Sequence, residues 1–187
     1  GTARRAGEGE PHVRNSEWSG WRPTHMMGTK VTGKVLGLVG MGRIAQAMAQ
    51  KSHFGFGMEI IYFDPYFKDE KVKNKFSAKS CDSIDELLSE ADFVSLHCPS
   101  TPETQGLINN DKLKKMKRSA YLINTARGDI VVEDDLISAL ESNLIKGAGL
   151  DVYENEPLFD QRLIKMKNVV LTPHTGSATI GTRDGMV

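Results

Sequence analysis

Along the chain, apolar positions fall into short continuous blocks that alternate with stretches of helical composition. Apolar runs over 34–39, 59–63, 93–96, 120–123, 146–150 and 168–171 have strand length and predict buried strands. Between them, 43–51, rich in Ala, Gln and Met, together with 110–116 and 133–142, predicts helices. Ser83-Ile84-Asp85-Glu86 is a capping-box sequence that predicts a helix running through Glu90. Strand and helix therefore alternate from Val31 onward. This implies an α/β fold, a mostly parallel sheet with helices on both faces, of the doubly wound class that binds ligands at the carboxyl ends of its strands.

Two stretches fall outside this alternation. Residues 1–30 are polar and glycine-rich, with Trp18, Trp21 and Pro23 in an irregular run, and predict a short helix followed by an extended arm that needs a surface to pack against. The lysine-rich stretch 68–79 predicts a solvated surface with no function of its own. No internal repeat or low-complexity tract interrupts the pattern.

Composition narrows the partner. A length of 187 residues suits one globular domain with a core of its own. Lys plus Arg and Asp plus Glu each number 24, so nothing global draws the chain to nucleic acid, an anionic membrane or a polyanion. The expected partner is a small molecule. Cys81 and Cys98 form neither a CxxC nor a disulfide framework, which points to a reducing compartment and a cytoplasmic location. No stretch approaches the roughly 18 apolar residues of a membrane span, and the N-terminal stretch has no signal-peptide core. His12, His25 and His53 lack metal-ligand spacing, and no metal is expected.

Gly40-Met41-Gly42-Arg43-Ile44-Ala45 lies between the first strand and the first helix and matches GxGxxG/A. The first glycine allows a tight turn, the second lets backbone approach a pyrophosphate, and the small third residue lets helix and strand pack closely. Amides at the helix start then face the phosphates. Such turns also arise for packing alone, so the second strand matters. It ends at Asp64, 22 positions after Gly42, where the dinucleotide fingerprint expects an acid for the ribose hydroxyls. A carboxylate there repels a 2′-phosphate, and Pro65-Tyr66 supplies no Arg to hold one, so NAD is expected rather than NADP. Asp64 before Pro65 also suits a plain strand-end turn.

Three later segments carry reactive side chains near expected strand ends: Asn124-Thr125-Ala126-Arg127-Gly128, Asp151-Val152-Tyr153-Glu154-Asn155-Glu156-Pro157 and Thr172-Pro173-His174-Thr175-Gly176-Ser177. An Arg, a carboxylate and a His converging on a nicotinamide site suit carbonyl reduction of an anionic substrate. Arg binds a carboxylate in a bidentate fork, and His delivers a proton near neutral pH with a Glu to orient it. The bland readings are a surface ion pair for Arg127 and a satisfied loop position for His174. Either Glu154 or Glu156 could serve as the acid, with Pro157 favouring Glu156. His97 stands evenly between cofactor wall and strand-end packing, and nothing local marks Cys98 as a nucleophile.

These motifs, in this order, resemble the D-isomer-specific 2-hydroxyacid dehydrogenases. The stretches GKVLGLVGMGRIA, DFVSLHCPSTPET, INTARGDIVVEDDLISAL, GAGLDVYENEP and LTPHTGSAT carry the resemblance over nearly the whole chain. It implies that Arg127 binds the carboxylate and carbonyl of a 2-oxo acid, that His174 donates or accepts the proton, and that Glu156 pairs with His174. It places Gly40, Gly42, Arg43 and Ile44 along the pyrophosphate, and Asp64, His97, Cys98, Pro99 and Thr104 on the adenosine side. Thr125, Ala126, Asp151, Gly176 and Ser177 fall toward the nicotinamide end, with Arg127 and His174 at the cofactor as well.

The resemblance also implies a division into an interdomain helix and arm over 1–30, a Rossmann-type NAD-binding domain over 31–178, and the start of a returning C-terminal helix over 179–187. The substrate domain is then largely missing, so the chain resembles a fragment that binds NAD with little turnover alone. The stretches GRIAQAMA and ENEP favour glyoxylate or hydroxypyruvate as substrate, with phosphoglycerate, D-lactate and phosphite or formate relatives as alternatives. Family members commonly form homodimers through this domain, and the Trp18 and Trp21 arm is the expected contact. The rivals from other classes are an NAD-sensing corepressor of the C-terminal-binding-protein type and a Rossmann hydrolase that keeps NAD as a redox helper.

Overall fold

A computed structural model describes residues 1–186. Seven parallel strands form one sheet: β1 (Val35–Val39), β2 (Glu59–Phe63), β3 (Lys79–Ser80), β4 (Phe93–Leu96), β5 (Tyr121–Asn124), β6 (Gly147–Leu150) and β7 (Val169–Leu171). Their spatial order is β3-β2-β1-β4-β5-β6-β7. All pairings are parallel, with Leu38 opposite Tyr62 on one side and Ser95 on the other. The order of strand addition reverses between β1 and β4, and such a switch point opens a crevice at the carboxyl ends of the two strands. This is the Rossmann-type doubly wound architecture.

Alternation along each strand feeds two cores. Leu36, Leu38, Ile60, Tyr62, Phe93 and Tyr121 pack on one face with Ala45 and Ala49 of α2 (Arg43–Phe56). Val39, Ile61, Val94, Leu96 and Leu122 pack on the other with Leu87 and Leu88 of α4 (Ile84–Glu90), and with Leu136, Ile137 and Leu140 of α6 (Glu133–Glu141). Close packing needs small residues where helix meets sheet. A Cβ on Gly37 would sit 2.7 Å from a methyl carbon of Leu87, so α4 rests almost on the β1 backbone.

The Ser83 cap forms, its hydroxyl accepting the Glu86 amide at 3.2 Å, while the Glu86 carboxylate accepts the Asp82 amide at 2.8 Å. Helix α2 runs five residues beyond the expected 51. It stops at Gly57, whose left-handed φ of 59° lets its amide reach back to the His53 carbonyl. Helix α5 (Asn110–Leu113) is one turn, shorter than the expected 110–116. The lysine-rich 68–79 stretch holds α3 (Glu70–Lys75) and the edge strand β3. Its composition hid both, although Asp69 caps α3 by accepting the amides of Lys71 and Val72. Phe76 and Ala78 beside it are buried.

At the N-terminus a short 3-10 turn (Thr2–Arg4) and α1 (Ala6–Arg14) precede a run to residue 34 without helix or strand. The turn lies across the sheet, with the Thr2 hydroxyl donating to the Ala148 carbonyl at 3.1 Å. Trp18 and Trp21 stay 54% and 81% exposed. The chain closes with α7 (Ile180–Asp184), and position 187 of the expected returning helix lies outside the described residues.

Candidate active site

At the switch point, Gly40 adopts φ 90°, and a Cβ there would stand 3.0 Å from the Cys98 amide nitrogen and 3.1 Å from the His97 carbonyl carbon. Only glycine lets the turn after β1 lie against the end of β4. Gly42 is the N-cap of α2 and has no side chain to cap it, and a Cβ on it would meet nothing within 4 Å. The amides of Arg43, Ile44 and Ala45 have no partner among the described residues. Unpaired first-turn amides beside open space suit an anionic oxygen. Ile44 is 74% exposed over this space, while Ala45 is fully buried as the small packing residue.

Asp64 is half-buried at the end of β2. One carboxylate oxygen accepts the Met41 amide at 2.8 Å and the other the Tyr66 amide at 2.9 Å. The strand-end turn role is therefore real, and it braces the glycine turn. A carboxylate offers about four acceptor positions, so capacity remains for ribose hydroxyls. The cradle that only glycine permits at Gly40, the open space at Gly42 and the free amides fit a dinucleotide.

Along β4, His97 is half-buried and lies 3.0 Å through Nε2 from the buried Ser95 hydroxyl. Burial pushes its pKa down to about 4, so it is neutral at ordinary pH. Burial likewise pushes the Cys98 thiol up, which fits a wall and not a nucleophile. Pro99 is exposed, and its carbonyl accepts the Thr104 hydroxyl at 2.6 Å. Thr104 also accepts the Thr101 amide at 2.8 Å, so in this structure its hydroxyl builds the loop.

The turn after β5 is organised by Asn124, which is 1% exposed. Its side-chain NH2 donates to the Arg127 carbonyl at 2.9 Å and its oxygen accepts the Ala126 amide at 3.1 Å. Thr125 and Arg127 are exposed and Ala126 half-buried. Arg127 donates one bond, to the Ala126 carbonyl at 2.6 Å, and has no carboxylate in ion-pair range among the described residues.

After β6, Glu156 and Glu154 separate clearly. Glu156 accepts the Tyr153 amide at 3.1 Å through one oxygen, and its other oxygen lies 2.8 Å from His174 Nδ1. The His174 contact, followed by the Tyr153 amide bond, holds the Glu156 carboxyl below the usual carboxylate range. Glu154 instead accepts the Glu133 amide at the start of α6. Asp151 is 5% exposed and holds the loop after β7: one oxygen accepts the Thr172 hydroxyl and the Thr175 amide (2.9 Å), the other the Gly176 amide (2.7 Å). Those bonds hold its carboxyl below the usual range against the opposing effect of burial. His174 sits in this loop with a left-handed φ of 52°. Ser177 is half-buried, and its carbonyl accepts from Arg183 of α7 at 3.3 Å.

The structural role of Asp151 depends on where the loop after β7 folds back, whereas Asn124 bonds only within its own turn, to Ala126 and Arg127. A cavity of about 1000 Å³ lies away from this site, between α1 with the following arm and the edge strand β7.

The D-isomer specific 2-hydroxyacid dehydrogenase, NAD binding domain, matches residues 1–176. The chain is 48% identical over 188 residues to a glyoxylate reductase of Thermococcus litoralis, covering 98% of this chain and 56% of that protein. It is also 48% identical to glyoxylate/hydroxypyruvate reductase B of Cronobacter sakazakii over 186 residues, covering 99% of this chain and 57% of that protein. The crystal structure of a glyoxylate reductase from Paecilomyes thermophila superposes with a TM-score of 0.90 at 36% identity, over 100% of this chain and 55% of that one. The chain thus spans a little over half the length of the curated relatives it matches. With its glycine turn, parallel sheet and Arg, Glu and His at the strand ends, the chain belongs to the D-isomer-specific 2-hydroxyacid dehydrogenases, as their NAD-binding domain.

Proposed function

We propose that the chain is the cofactor-binding and acid/base part of an NAD-linked reductase of small 2-oxo acids, with glyoxylate or hydroxypyruvate as substrate. The observation that carries this reading is the His174–Glu156 pair at 2.8 Å, at the same end of the sheet as the glycine turn and the unpaired Arg127. The glyoxylate and hydroxypyruvate reductase names of the relatives support the substrate class.

Gly40, Gly42, Arg43 and Ile44 would hold the pyrophosphate and Asp64 the ribose. His97, Cys98, Pro99 and Thr104 would line the adenosine side. Thr125, Ala126, Asp151, Gly176 and Ser177 would lie toward the nicotinamide, which supplies the hydride when bound. Arg127 grips the substrate carboxylate and orients its carbonyl. Glu156 fixes the His174 ring through Nδ1, and Nε2 then delivers a proton to the carbonyl oxygen. In the oxidative direction neutral His174 takes the hydroxyl proton.

Exposed Trp18 and Trp21 and the groove between α1 and β7 support a homodimer formed through the arm. A balanced charge supports neither a nucleic-acid nor a membrane partner. No helix among the described residues is long and apolar enough to cross a membrane. Two free cysteines support a reducing, cytoplasmic setting.

The test is NADH titration together with NADH oxidation in the presence of glyoxylate or hydroxypyruvate, for the unaltered protein and for His174→Ala. A loss of turnover of about a hundredfold or more with NADH affinity retained supports the assignment. Equal turnover by the two proteins removes His174 from the mechanism.

A further inference from the structure

The loop after β4, which carries His97, Cys98 and Pro99, is tied by side chains to the segment after β5 that carries Arg127 through one residue. Asp129, two positions beyond Arg127, accepts the Ser100 hydroxyl at 2.6 Å and the Gln105 side-chain NH2 at 3.1 Å, both on the same oxygen. Among the described residues these are the only hydrogen bonds between side chains of the two loops. Backbone bonds continue the seam: the Gly106 amide donates to the Asp129 carbonyl at 2.8 Å, and Ile108 exchanges bonds with Ile130 and Val132 at 3.0 Å each.

Two features of Asp129 are not explained by stability alone. Its donors are neutral, a hydroxyl and an amide, and no cation lies in ion-pair range among the described residues. Its second oxygen is buried with no partner among the described residues, and an unpaired buried oxygen costs free energy in a folded protein. The bonded oxygen clamps the expected cofactor wall to the segment holding Arg127, at 2.6 Å from the Ser100 hydroxyl.

We infer that Asp129 is a positioning residue that couples the two binding events, so that cofactor contact with the 97–106 loop orders the Arg127 turn. This rests on the proposed cofactor site and goes beyond it, since neither Asp129 nor Ser100 touches substrate in that reading. Coupling of this kind makes the enzyme bind the 2-oxo acid well only after the cofactor has docked.

The experiment compares the unaltered protein with Asp129→Ala, Ser100→Ala and the double variant. It reads hydrogen exchange with and without NADH, NADH affinity, melting temperature, and KM and kcat with glyoxylate. NADH is expected to slow exchange over both 97–106 and 127–132 in the unaltered protein, and over 97–106 alone in each variant. KM for glyoxylate is expected to rise about tenfold in either single variant, with no further rise in the double and a smaller change in kcat. Protection that still reaches 127–132 in both variants overturns the coupling, as does a lower melting temperature with exchange pattern and KM unchanged. Failure of the unaltered protein to bind NADH overturns the cofactor reading and this inference with it. If NADH binds without turnover, the exchange pattern alone decides.

Discussion

Gly128 packs so tightly on Tyr153 that a Cβ at position 128 would fall 1.8 Å from the Tyr153 carbonyl oxygen and 2.5 Å from the Glu154 nitrogen. This approach joins the turn bearing Arg127 to the loop bearing Glu156, two segments that follow different strands. Any side chain at 128 must push them apart. Gly128→Ala is expected to lower stability by about 1–3 kcal/mol or more through overpacking, and to reduce turnover further than stability, because Arg127 and Glu156 move away from each other. Calorimetric melting beside kcat/KM checks this, and normal kinetics in a destabilised variant would show that the two loops need not keep their spacing.

Asp151 acts on His174 through the backbone it holds. Asp151→Ala strands the Thr175 and Gly176 amides at about 1–3 kcal/mol for each group left unsatisfied. Turnover should fall with that loss while NADH affinity changes less. Asp151→Asn keeps an acceptor and is expected to retain more activity than Ala. Equal kinetics for the two variants would remove the loop-holding role.

His97 sets a pH dependence of stability that is separate from the proposed acid/base residue His174. Its pKa is pushed down to about 4 in the folded chain, against an unfolded value of 6.5. Between these values the unfolded chain binds the proton and the folded chain does not. Stability is therefore complete above about pH 6.5 and is lost as pH falls toward 4, by an amount on the order of 3 kcal/mol. His97→Gln is expected to flatten that part of a denaturant-midpoint profile against pH. An unchanged slope would mean that His97 is protonated in the folded protein.

Asp64 has two duties, bracing the Met41 amide and, in the proposed function, meeting the ribose. Asp64→Ser is expected to weaken NADH binding by tenfold or more and to weaken NADPH binding much less, since removal of the carboxylate also removes repulsion of a 2′-phosphate. Titration with both cofactors measures the ratio, and an unchanged ratio would confine Asp64 to its bracing role.

Much of this was legible before any coordinates. The six long strands follow from continuous apolar runs, and α4 from its Ser83 cap, because strand burial and capping are local properties written in adjacent residues. The glycine turn belongs to the same class, since φ 90° at Gly40 is a demand on one residue. Helix α3 and strand β3 were not legible. They are short, lysine-rich and at the sheet edge, where a two-residue pairing with β2 suffices and little apolar surface is buried.

The site divides along the same line. Sequence alone determined which residue types are present, and that Arg127, an acid and His174 stand at strand ends in an order shared with a known family. It favoured Glu156 over Glu154 only through Pro157, and it left Asp151 without a structural duty and Asp129 unnoticed. Tertiary structure decided these because each depends on partners from another loop: Glu133 for Glu154, His174 for Glu156, the 172–176 turn for Asp151, and Ser100 with Gln105 for Asp129. A hydrogen bond between residues some twenty positions apart leaves no periodicity in the chain. It exists only once parallel strands bring their carboxyl ends side by side.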